Sequence, residues 1–144
     1  AGRACSQGYL KYLYNLISKL NLRKNVEIKT NISDEEKIRL LAEAQIYVTA
    51  SAREGWAITV IEANACGTVA IAYNVCGLRD SIINGKTGLL VPYNNDEALA
   101  NAIIKVLSDD ELREKLSRNA IVWAGKFSWD NIATEFIEII KGII

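Results

Sequence analysis

Five consecutive residues, Val69-Ala70-Ile71-Ala72-Tyr73, carry no charge and no alternation of polar with apolar character. A strand with one wet face alternates; a strand covered by helices on both faces does not. The run therefore predicts a strand buried on both sides, and it obliges the rest of the chain to supply helices for two faces of a parallel sheet. The flanking sequence meets that demand. Val26 to Thr30 (VEIKT), Ile46 to Ala50 (IYVTA) and Leu89 to Val91 (LLV) predict further strands. Between them, apolar residues recur at helical spacing in Tyr9 to Leu20, in KIRLLAEA behind a Ser33–Glu36 capping box and ending near Gln45, and in a short stretch from Leu78 to Ile83. The segment holding Glu62 predicts another helix, starting near Ala57 or Ile58. Three helices close the chain: one bracketed by Asn94 and Glu97, one behind a Ser108–Glu111 capping box, and one opened by Ser128. The order predicts an α/β fold, a Rossmann-like doubly wound parallel sheet.

The totals narrow the function classes. With 144 residues, half of them hydrophobic, one domain with a real core is expected. Lys plus Arg equals Asp plus Glu, 17 each, so no basic footprint for nucleic acid is present. No apolar run approaches the ~20 residues of a membrane span, and no signal peptide opens the chain, so a cytoplasmic location is expected. Histidine is absent, which excludes Ser-His and Cys-His nucleophile pairs and His-ligated metals. Cys5, Cys66 and Cys76 fit no paired spacing and read as reduced thiols, the latter two as small core residues. The chain opens on a glycine-containing loop, AGRACSQG, directly before a helix, where a doubly wound sheet would place a strand first. Residues 1–144 are accordingly expected to be the carboxyl-terminal part of something larger, lacking its first strands. The exposed sheet edge that results invites pairing with another copy.

The chemistry concentrates in Arg53 to Gly67, REGWAITVIEANACG. Ligands of open α/β sheets bind beyond the carboxyl ends of the strands, and the strand ending at Ala50 delivers Ser51 to Trp56 to that crevice. The next helix begins with unpaired N–H groups and the positive end of its dipole, a ready anion site. Gly55 permits close approach of a ligand to the backbone. Glu54 stands at the mouth, and Glu62 lies just over one turn into an otherwise apolar helix. An ionised carboxylate there needs donors: a polar cleft, a ligand, or an ion pair with Arg53, Arg79 or Lys86. A vicinal diol such as a ribose suits its two oxygens. An anion at the helix start, a diol at Glu62 and further hydroxyls at Glu54 together describe a nucleoside diphosphate sugar. Trp56 is either a stacking platform or a packing residue; Trp123 and Trp129, at helical positions, read as core.

The stretch from Ser51 to Val91 resembles the donor-binding half of retaining glycosyltransferases of the GT-B architecture, family 4. Their signature runs E-G-F-G-L-x-x-x-E-A-x-A-C-G-x-P-V, then G-G-x-x-E-x-I and G-x-x-G-L-L-V. This chain reads Glu54-Gly55-Trp56-Ala57-Ile58-Thr59-Val60-Ile61-Glu62-Ala63-Asn64-Ala65-Cys66-Gly67, then Gly77-Leu78-Arg79-Asp80-Ser81-Ile82, then Gly85-Lys86-Thr87-Gly88-Leu89-Leu90-Val91. The closing KFSWDNIATEFIEII is similar to the family's last helix. The resemblance implies a truncated GT-B carboxyl-terminal domain without its acceptor domain. It implies that Glu54 contacts the donor sugar near the reacting centre and that Glu62 holds the ribose. Backbone amides over Trp56, Ala57, Ile58 and Thr59, beside Gly55, would meet sugar and diphosphate. It implies no cofactor and no bound metal, and it places Lys29 and Thr30 near the base. Departures are Ala57 for a usual glycine, Val69 for proline and Cys76 for a glycine or proline. The alternative is a structural or engineered α/β module, self-associating and without catalytic activity.

Overall fold

The computed structural model describes residues 6–143. The opening loop's first five residues, and Cys5 with them, lie outside the described residues. Two compact units divide at Arg39 and Leu40. The first holds helix α1 (Gln7–Lys19), capped by Ser6, whose hydroxyl accepts from the Tyr9 amide. Helix α2 (Asp34–Glu43) begins in this unit and ends in the second. Half of the Ser33–Glu36 box is present: Ser33 Oγ accepts the Glu36 amide at 3.2 Å, while the Glu36 carboxylate accepts from Lys29.

VEIKT does not form the expected strand. Its pattern alternates correctly, but a strand exists only where a neighbour supplies hydrogen bonds, and only Thr30 carries so much as an isolated bridge. Lys29 instead lies 3.2 Å from carboxylate oxygens of both Glu36 and Glu27, and their hydrogen bonds raise its pKa.

The second unit carries a three-stranded parallel sheet in the order β1 (Ile46–Thr49), β2 (Val69–Tyr73), β3 (Gly88–Val91). Ile46 pairs with Val69, and Tyr73 with Val91. Helices α3 (Ile58–Ala65), α4 (Leu78–Ser81), α5 (Asp96–Ser108), α6 (Asp110–Ala124) and α7 (Trp129–Lys141) complete it, with a 3₁₀ turn at Gly125–Phe127. Every residue of β2 is buried, as its uninterrupted apolar run requires. Val69, Ile71 and Tyr73 face α5 and α6, packing with Ala102, Val106 and Leu116. Ala70 and Ala72 face α3 and α4, packing with Val60, Leu78 and Ile82. The alternation is therefore one of size rather than polarity, with the smaller side chains under α3.

Two helix starts fall one residue later than the capping patterns suggest. Asn94 adopts φ 58°, a conformation asparagine tolerates, and Asn95 caps α5 by accepting from Ala98. Ser108 donates to the Ile104 carbonyl within α5, leaving Asp109 to cap α6. Trp129, expected in the core, is 89% exposed on α7, which buries none of its residues. None of the described helices is long and apolar enough to cross a membrane.

Candidate functional site

Strand β1 ends at Thr49, whose hydroxyl donates to Ser51 at 3.3 Å, and the chain then turns through Glu54 and Gly55 into α3. Glu54 is half-buried and Gly55 is exposed. No protein atom lies within 4 Å of where a side chain on Gly55 would sit, so the space over this residue is open. A second loop closes against the same turn. Gly77, between β2 and α4, has φ 79°, and a Cβ there would lie 2.4 Å from the Glu54 carbonyl oxygen and 2.7 Å from that of Gly55. Only glycine fits this position, on both conformational and steric grounds. The carboxyl ends of β1 and β2 are thus joined backbone to backbone at the acid-bearing turn.

Helix α3 starts without a side-chain cap. Ala57 stands at its head with φ 25° and ψ 62°, a strained setting for a residue with a Cβ. The Val60 amide bonds the Ala57 carbonyl at 2.9 Å, and the amides of Ile58 and Thr59 precede that first bond. Those side chains are exposed, Ile58 at 66%. Uncapped N–H groups and the helix dipole together make this end attractive to an anion. Glu62 is half-buried, with one carboxylate oxygen buried, and it follows Ile58 by four residues and Thr59 by three. On a helix these three are surface neighbours. The structure therefore brings Glu54, Gly55, Ala57, Ile58, Thr59 and Glu62 onto one turn and the first turn and a half of one helix.

Trp56 is engaged elsewhere. Its ring meets Phe127 edge-on at 4.7 Å, and Phe127 meets Trp123 at 4.9 Å. Trp123 donates its indole N–H to the Ser81 carbonyl at 3.0 Å, beneath Lys126 at 5.3 Å. The aromatic row ties the turn to the end of α6 and the 3₁₀ turn after it, while Trp56 itself stays partly exposed. Phe127 falls in the closing KFSWDN stretch, where the sequence suggests no contact with the acid-bearing turn. Cys76 also departs from expectation: it is exposed beside Gly77 rather than in the core, while Cys66 is half-buried. A loop that must bring a glycine onto a neighbouring backbone leaves its preceding side chain outside. Among the described residues, no group of three or more Cys, Asp or Glu side chains is placed to hold a metal ion.

The family model described as glycosyl transferases group 1 matches residues 1–123. A D-inositol 3-phosphate glycosyltransferase of Corynebacterium urealyticum is 30% identical over 133 residues, 92% of this chain and 31% of the relative. Among solved structures, sucrose-phosphate synthase from Thermosynechococcus elongatus superposes with a TM-score of 0.87 at 30% identity, covering 99% of this chain and 37% of that one. Anabaena HepE, solved with UDP and glucose, superposes with a TM-score of 0.89 at 25% identity, covering 98% and 39%. The chain spans about a third of the length of such relatives. These neighbours are GT-B enzymes, and the α/β fold is theirs.

Proposed function

Because the chain belongs to the glycosyl transferases group 1 family, we propose that it forms the donor-binding part of a retaining, nucleotide-sugar-dependent transferase. The observation that carries this reading is the open, uncapped start of α3 beside Glu54, with Glu62 one turn inside. The amides from Trp56 to Thr59 receive the diphosphate and sugar, offsetting their charge with oriented dipoles. Glu62 accepts hydrogen bonds from the ribose diol, and Glu54 from sugar hydroxyls near the reacting carbon. The acceptor hydroxyl attacks from the face the nucleotide leaves, and the departing phosphate takes its proton. No metal or further cofactor enters this scheme. Solved relatives of 25% identity bound to UDP and to UDP-glucose support the ligand class.

Residues 1–144 then act as a partial nucleotide-sugar-binding domain, and turnover by this chain alone is expected to be low. Transfer depends on holding donor against acceptor, and that positioning accounts for much of the barrier reduction. Calorimetric titration with UDP and GDP tests the proposal. Saturable binding that Glu62→Ala weakens by about a hundredfold is expected, since that change removes a charged, two-oxygen acceptor. Absence of binding at millimolar nucleotide would refute it. A stable oligomer in that case would favour the self-associating module, a reading that the exposed Trp129 and Phe136 on α7 also suit.

A further inference from the structure

Tyr47 projects from β1 toward the α3 side of the sheet, and its phenol donates to the hydroxyl of Thr59 at 3.0 Å. A threonine hydroxyl has one proton to give and lone pairs to receive. Here a lone pair is taken by the more acidic phenol, so the threonine proton remains to be placed. Four other helical hydroxyls turn theirs inward: Ser18 donates to Tyr14, Ser81 to Gly77, Ser108 to Ile104 and Thr134 to Asp130, each to the carbonyl four residues back, while Ser117 donates to the Gly67 carbonyl. Thr59 makes no such bond among the described residues. It sits in the first turn of an uncapped helix, is exposed, and neighbours Glu62 on the helix surface.

We propose that the Thr59 hydroxyl donates to a donor phosphate oxygen, and that Tyr47 is a positioning residue that fixes its rotamer. The inference rests on the donor-site reading and deepens it. If the amides at the helix start take the sugar-side phosphate and Glu62 takes the ribose, Thr59 lies between them, where the nucleoside-side phosphate must pass. Donation from Tyr47 also polarises the threonine O–H, and hydrogen bonds in such chains strengthen one another. This role belongs to the side chain and is separate from the Thr59 amide, which any residue would supply.

Calorimetry with UDP and, by nuclear magnetic resonance titration, with uridine tests the assignment on the intact chain. Thr59→Val keeps shape and backbone amide; it should weaken UDP about tenfold, as expected for one bond to a charged acceptor, and leave uridine unchanged. Thr59→Ser should restore most of the UDP affinity. Tyr47→Phe should weaken UDP about threefold, by the part of that bond that depends on orientation, and should have no further effect in a Thr59→Val background. Equal UDP affinity for wild type and Thr59→Val overturns the Thr59 role while leaving the donor site standing. Additive losses from the two substitutions overturn the coupling to Tyr47. A wild-type chain that binds neither UDP nor uridine overturns the donor site and this role together. Matching melting curves for the variants separate all of these from a loss of folding.

Discussion

Helices α3 and α5 both follow parallel strands of one sheet, yet they begin in opposite ways. Asn95 closes the start of α5, its side chain accepting from the Ala98 amide at 2.9 Å. The start of α3 has no such oxygen and rests on an alanine at φ 25°. A cap contributes about 1 kcal/mol, and a non-glycine residue in the left-handed region costs about 1–3 kcal/mol. The α3 end therefore gives up on the order of 2–4 kcal/mol relative to the α5 end. In exchange its first N–H groups remain available, at the one place where the β1 and β2 loops meet. A capped end stabilises the fold; on the proposed reading, the open one is left for the donor.

The largest effect that would break this contrast comes from the neighbouring loop. Gly77→Ala must either push its methyl into the Glu54 carbonyl or abandon φ 79°. Combined strain and displacement should cost about 3 kcal/mol. Chemical denaturation would show the midpoint falling, and UDP affinity should fall with it because Glu54 and Gly55 move. Retention of wild-type stability would mean that the two loops are not in contact.

A reciprocal pair of substitutions then sharpens the comparison. Asn95→Ala should cost about 1 kcal/mol of stability and leave UDP binding unaltered, since the Asn95 side chain bonds at its own helix start. Ala57→Gly relieves strain of about 1–3 kcal/mol but forfeits a methyl buried against Val60 and Ala72, about 0.8 kcal/mol. A net gain of about 0.2–2 kcal/mol is expected from that difference, visible as a higher melting temperature. A loss would show that the buried methyl outweighs the backbone.

How much of this was legible in the sequence depends on whether the cause was local. VAIAY announced a strand covered on both faces because burial is written in its own five residues. The start of α3 and the positions of Glu54 ahead of it and Glu62 within it were legible for the same reason, and position 57, where alanine stands for a usual glycine, is the strained one. VEIKT failed because a strand needs a partner that its own letters cannot specify. Cys76 was expected inside on residue type and Trp129 on helical position, whereas a loop geometry and an unburied helix face put them outside. The Trp56–Phe127 contact joins residues too far apart for any periodicity to register, and the bond from Tyr47 to Thr59 crosses from strand to helix. Local pattern gave the parts of the proposed site; only the packing gave the contacts behind them.

The smallest predicted effect lies at the capped end. Tyr73, at the end of β2, donates its phenol to Asp96 in the first turn of α5 at 2.5 Å. That hydrogen bond, assisted by burial and the carboxylate's charge, raises the Tyr73 pKa above its usual value of about 10. The protonated phenol is thus favoured by folding. Its contribution is fully present below the unfolded-state value and is lost as pH rises through the higher folded-state value. Stability should accordingly decline on the alkaline side, and Tyr73→Phe should flatten that decline while lowering stability slightly near neutrality. Thermal melts from pH 8 upward would measure it.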